Sequence, residues 1–118
     1  MIMTNKKVET FLQKITATKN ELMNLGDMRP GSVTKQFHKR GDKKWPYWQI
    51  SYTQNKRSKT EYLKDEFVEK IKAEVATYKK FKKLVEKLTN LNVELSIERL
   101  NILKAQQKNK NLIRVSKT

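Results

Sequence analysis

Cysteine is absent from this chain, which excludes a disulfide framework, a Cys-type zinc site and a thiol nucleophile. Histidine occurs once, and His38 sits beside Lys39 and Arg40, surroundings that repel a divalent cation, so its plain reading is a surface residue. Acids are few and dispersed. Asp42 is isolated in a basic loop, while Glu66, Glu69, Glu74 and Glu86 are spread along one helix, where they temper neighbouring lysines. The converging carboxylates of a metal-dependent nuclease are therefore missing. The three glycines, Gly26, Gly31 and Gly41, lack the spacing of a phosphate-binding loop. No apolar run reaches the roughly 18 residues needed to cross a bilayer, and Met1 to Val8 are too polar for a secretory signal. We therefore expect a cytoplasmic, non-enzymatic protein with no membrane association, no metal and no cofactor.

What the chain has in excess is positive charge. Twenty-seven Lys and Arg against twelve Asp and Glu give a net charge of +15, a self-repulsion that a partner of opposite sign relieves. Nucleic acid is the leading partner, ahead of an acidic membrane surface, with plain solubility as the ordinary alternative. A length of 118 residues suffices for one small domain with a modest core.

The chain is organised around a stretch from Asp65 to Gln106 that contains neither Gly nor Pro. In a heptad assignment, Ile71, Tyr78, Val85, Asn92 and Arg99 take position a, and Phe67, Glu74, Phe81, Leu88, Leu95 and Ile102 take position d. Val68, Val75, Leu84 and Leu91 widen the stripe. The spacing predicts one helix of about 42 residues and roughly 63 Å, longer than a domain of this size covers alone. Leu91, Leu95, Leu100, Ile102 and Leu103 would then stand in water, implying a homodimer or another helical partner. The expected dimer face is Leu88, Leu91, Asn92, Leu95 and Ile102, with Asn92 fixing register across the seam. Asp65 is the expected cap, with Glu66 and Glu69 complementing the helix dipole. Beyond Gln106, residues 107–118 read as a basic, flexible tail in which Leu112, Ile113 and Val115 offer a small dock.

Ahead of that helix, Thr4 is expected to cap a first helix in which Val8, Phe11, Leu12, Ile15, Leu22 and Leu25 recur near the helical period. Gly26 is expected to close it in the left-handed conformation, with Pro30 preventing resumption. At roughly 33 Å it is about half as long as the later helix. Met28 to Ser32 reads as a turn, and three short strands follow: Ser32–Lys39, Trp45–Thr53 and Lys59–Leu63. Loops are expected at Arg40–Lys44 and Gln54–Ser58, with Asn55 able to take a positive φ. The fold class is α+β: an N-terminal helix, a three-stranded antiparallel sheet and a long C-terminal helix, all within one domain spanning 1–106.

Basic residues interleaved with aromatics carry the functional signal. Lys35, Lys39, Arg40, Lys43, Lys44, Lys56, Arg57 and Lys59 fall on the strands and loops, and Trp45, Tyr47, Trp48 and Tyr52 lie among them. Lysine and arginine supply phosphate contacts and counterion release, while an exposed ring can stack on a base. Alternation sends Trp48 and Tyr52 to the core with Ile50, and leaves Trp45 and Tyr47 on the opposite face with Gln49 and Ser51. Lys72, Lys79, Lys80, Lys83 and Lys87 form a second stripe, either a phosphate contact or a solvated helix face.

Several motifs carry a resemblance: Arg-Pro-Gly-Ser-Val at 29–33, Trp-Pro-Tyr-Trp-Gln-Ile-Ser-Tyr-Thr at 45–53, Tyr62-Leu63, and Tyr-Lys-Lys-Phe-Lys-Lys-Leu at 78–84. Over residues 8–95 the chain resembles a family of small uncharacterised prokaryotic proteins often found near transposons and other mobile elements. Members commonly carry cysteines in the loop before the aromatic strand. This chain has Phe37 to Trp45 without one, so no metal role transfers. The resemblance implies a mobile-DNA setting and favours DNA over RNA. The resulting expectation is a DNA-binding accessory or regulatory protein of a mobile element. The alternatives are an RNA-binding module and an adaptor docking on a larger recombinase or effector protein.

Overall fold

The computed structural model describes residues 5–116, with side chains through residue 111. It consists of helix α1 (Lys6–Met23), strands β1 (Ser32–Arg40), β2 (Lys43–Gln54) and β3 (Arg57–Leu63), and helix α2 (Asp65–Ser116). The architecture is α+β as expected, with an antiparallel sheet in the order β1-β2-β3. Contacts divide the chain into two compact units: Asn24–Lys83, and the segments up to Met23 and from Leu84 onward.

The sheet unit is built from two tight hairpins. Gly41 takes a φ of 65°, so β1 and β2 are joined by Gly41 and Asp42 alone, and Arg40, Lys43 and Lys44 belong to the ladder instead of the expected loop. Asn55 and Lys56 both take positive φ, 53° and 65°, the requirement of a two-residue hairpin turn, so β3 starts at Arg57. One sheet face packs on the first turns of α2, where Ile50, Leu63, Val68 and Val75 form the core, flanked by Val33, Trp48, Tyr52 and Ile71. Ile50 is 0% exposed, and burying such a side chain contributes about 1.5–3 kcal/mol.

Gly31 enters this core at a φ of 145°, and a Cβ there would lie 3.0 Å from the Ile50 side chain and 3.1 Å from the Ser51 carbonyl oxygen. Glycine is therefore required. The segment before it has neither regular structure nor the expected turn, and is tied down where the Arg29 N–H donates to the Glu74 carbonyl at 3.2 Å. Asp65 lies inside the first turn of α2 instead of capping it, because the Lys64 carbonyl already accepts from the Phe67 N–H at 2.9 Å.

In the helical unit, Asn5 caps α1: its side-chain oxygen accepts from the Lys7 N–H at 2.8 Å and the Val8 N–H at 3.4 Å. The expected cap, Thr4, lies outside the described residues. The helix ends at Met23, short of Gly26, whose φ is not positive. Leu22 is the last residue of α1 to be even half-buried and Met23 is 82% exposed, so no apolar burial sustains a further turn. Ile15 packs against Leu91 and Leu95, with Val8, Phe11 and Leu88 around them. Thr18 is fully buried, its hydroxyl donating to the Lys14 carbonyl at 2.8 Å.

This packing corrects the expected dimer face. Leu88, Leu91 and Leu95 are covered by α1 of the same chain, so keeping them from water needs no second copy. Asn92 is exposed and its amide donates to the Leu88 carbonyl of its own helix at 2.9 Å; Ile102 is half-buried. The heptad seam is corrected as well. Phe67 and Val85, assigned to it, are exposed, whereas the flanking Val68, Val75, Leu84 and Leu91 are buried. Val68 and Val75 belong to the sheet core and Leu91 to the α1 cluster, so separate short stripes replace one continuous seam. Residues 107–116, expected as a flexible tail, continue α2; the segment has no Gly or Pro to end it, and helix-favouring Gln, Lys, Leu and Arg make up half of it. The side chains of Leu112, Ile113 and Val115, the suggested dock, lie outside those described.

Candidate nucleic-acid interface

The register assigns every strand residue to a face. Ile50 lies opposite Val33 and Glu61, and Trp48 opposite Lys35 and Leu63, all on the face that packs on α2. The other face carries Tyr47 opposite Gln36, Trp45 opposite His38, and Gln49 opposite both Thr34 and Tyr62. The expected division of the rings therefore holds. Trp48 and Tyr52 pack on the core, while Trp45, 43% exposed, and Tyr47 share the open face.

Two further rings, His38 and Tyr62, were not among the contact rings expected from the sequence. His38 stacks on Tyr47, with centroids 4.2 Å apart and planes at 19°, and lies 6.2 Å from Trp45. Tyr62 is 68% exposed. Only the hairpin register, which is not legible from either residue alone, brings them beside the other two. Arg40 and Lys43 join these rings on the open face, whose strand positions hold no acid.

The cations themselves fall into separate groups. Lys39 lies directly opposite Lys44 and Arg40 directly opposite Lys43 at the tip of the β1–β2 ribbon, which projects past the last residue of β3. Lys56, Arg57 and Lys59 lie at the other end of the sheet. A meander puts successive turns at opposite ends, and the twelve residues of β2 hold the members of the two groups roughly 26 to 36 Å apart at about 3.3 Å per residue. The single array expected from the sequence is thus two clusters. Lys35 belongs to neither: its ammonium lies 5.8 Å from the Trp48 ring and 5.9 Å from that of Phe37, on the core side. Lys79, Lys80 and Lys83 are exposed on α2, whereas Lys72, from the same stripe, sits 4.6 Å over Trp48.

Like charges directly opposite across a ladder destabilise it, and the ribbon tip stacks two such pairs in succession. Among the described residues the one ion pair joins Lys72 to Glu69 at 4.0 Å, so the four cations of the tip form none and face only the single acid of the turn, Asp42. Lys56 adds a local cost, because it holds a positive φ that glycine would take without strain. At the core-side edge, Tyr52 donates to Glu61 at 2.7 Å while the Arg29 guanidinium lies 4.8 Å over its ring. The hydrogen bond to Glu61, with partial burial and the Glu61 charge, raises the Tyr52 pKa above its ordinary value, and Arg29 opposes the shift.

Among the described residues no group of three or more His, Asp or Glu side chains could hold a metal ion, and no helix is long and apolar enough to cross a membrane. Comparison of the chain with family models, curated proteins and solved structures finds no match. The resemblance to mobile-element proteins therefore rests on the motifs quoted above.

Proposed function

We propose that this chain is a non-enzymatic DNA-binding protein, acting as an accessory or regulatory component of a mobile genetic element. The observation that carries the binding reading is the ribbon tip, where Lys39 faces Lys44 and Arg40 faces Lys43, four cations against the single acid of the turn, Asp42, with which none of them forms an ion pair. Such an arrangement costs the isolated fold stability, and a polyanion turns the repulsion into attraction. A two-stranded ribbon also suits a major groove about 12 Å wide, in which phosphates position and base edges specify. The mobile-element setting comes from the sequence resemblance alone. RNA is the second reading, favoured by the exposed rings of Trp45 and Tyr62. A homodimer, a recombinase or another protein partner would have to dock on what α1 leaves open, chiefly Val93, Ile97, Leu100 and Leu103.

The test is fluorescence anisotropy with a labelled duplex across a salt series. Wild-type affinity is expected to fall steeply with salt, with a log–log slope of about −0.9 for each phosphate neutralised. Reversing Lys39, Arg40, Lys43 and Lys44 to Glu together is expected to lower low-salt affinity by at least ~100-fold. A flat salt response, or a quadruple variant that binds like wild type, removes the proposal.

A further inference from the structure

We infer that the open face of the sheet is a stacking platform for single-stranded nucleic acid, taking one unstacked base per exposed ring. The inference rests on the nucleic-acid reading above and narrows its ligand. Trp45 and Tyr47 lie two residues apart on one face of β2, and Tyr62 lies opposite Gln49, a further two residues along. At about 3.3 Å per residue the rings recur every ~6.6 Å along the strand, with Tyr62 displaced one strand sideways by about 4.8 Å. That step is roughly twice the 3.4 Å rise of a base-stacked strand. Paired, stacked bases cannot match it and present only their edges. An extended strand with splayed bases can seat one on each of the exposed rings, Trp45 and Tyr62, with half-buried Tyr47 and its His38 stack between them, so about three nucleotides span the platform.

Three features fit this use. His38 stacks on Tyr47 and so joins the Trp45 and Tyr47 positions into one pad. Trp45 and Tyr62 are exposed on a face with no buried cluster, although rings of this size gain by burial. The side chains that flank the rings on this face are neutral and polar, Gln36 and Gln49 beside them and Ser51 and Thr60 beyond Tyr62, and Arg40 and Lys43 continue the same face for a passing phosphate backbone.

The experiment measures affinities of the full chain for labelled oligo-dT, oligo-rU and a duplex of matched length, in wild type, Tyr62→Ala, His38→Ala and the ribbon-tip charge variant. Thermal melts check that each variant is folded. Tighter binding of a single strand than of duplex is expected, with quenching of tryptophan emission. The single-strand-to-duplex affinity ratio is expected to fall at least ~5-fold in Tyr62→Ala, whereas the charge variant lowers all affinities together. The dT and rU arms distinguish DNA from RNA as the source of the strand. Duplex binding as tight as single-strand binding, or a ratio unmoved in both ring variants, overturns the platform while leaving the cationic ribbon standing. Absence of binding to all three probes at low salt overturns both.

Discussion

The two faces of the sheet come from the same strands, residue by residue in alternation, and they meet different fates. On the face against α2, Ile50 has no solvent exposure, Leu63 is buried, and the cations Lys35 and Lys72 lie over the Trp48 ring. On the other face Trp45 and Tyr62 stand in solvent, Tyr47 packs only on His38 among the rings, and Arg40 meets Lys43. Large rings and charged residues occur on both. What differs, along the stretch that α2 covers, is whether each group has found a partner within the chain; the open face, and the Lys39–Lys44 pair that carries the other face out to the ribbon tip, are where a ligand has something to offer.

The sharpest way to break this comparison is through stability. Ile50→Ala leaves a cavity at the centre of the sheet core and is expected to destabilise the protein by about 2–5 kcal/mol in denaturant melts. Tyr62→Ala, on the open face, is expected to change stability by less than about 0.5 kcal/mol. Equal losses would mean that the open face is packed in solution and not free to bind.

A smaller effect tests how tightly the covered face is closed. Gly31→Ala must place a methyl group 3.0 Å from Ile50 while holding a backbone conformation that alanine rarely adopts, and a loss of about 1–3 kcal/mol is expected. Ser51→Ala, which removes only the 3.2 Å hydroxyl contact with Thr60 on the open face, is expected to lose about 0.5 kcal/mol or less by the same melts. A tolerated Gly31→Ala would show that the loop entering the core can retreat.

Much of this division was legible in the sequence. Period-two alternation through Trp48, Ile50 and Tyr52 marked the covered face, and Trp45 and Tyr47 followed as its complement. Register was not legible, and everything that depends on it was missed: the like-charge pairs, the His38–Tyr47 stack and the placement of Tyr62. A two-residue turn at Gly41–Asp42 sets that register, and a chain that reads equally well as a five-residue loop from Arg40 to Lys44 conceals it. The helical unit failed for a related reason. A stripe of apolar residues on α2 announces that something covers it, but Leu88, Leu91 and Leu95 do not say whether the cover comes from another chain or from α1. The length mismatch between the two helices made a second copy look necessary. What α1 in fact leaves open is Val93, Ile97, Leu100 and Leu103.

The smallest effect separates cations by partner instead of by charge. Lys35 and Lys72 are engaged with rings on the covered side, so replacing either by Gln is expected to cost about 0.5–1 kcal/mol of stability while leaving the slope of log affinity against log salt unchanged. Arg40 and Lys43 have no acidic partner and repel one another across the ladder. Replacing either by Gln is expected to relieve that repulsion, raising stability by a few tenths of a kcal/mol, while reducing the salt slope by about one. The two pairs of variants thus move stability in opposite senses and only the second moves the slope, although each substitution removes one positive charge from a protein of net charge +15. If all four reduce the slope equally, binding follows total charge instead of the open face, and the contrast between the two sides of the sheet has no functional content.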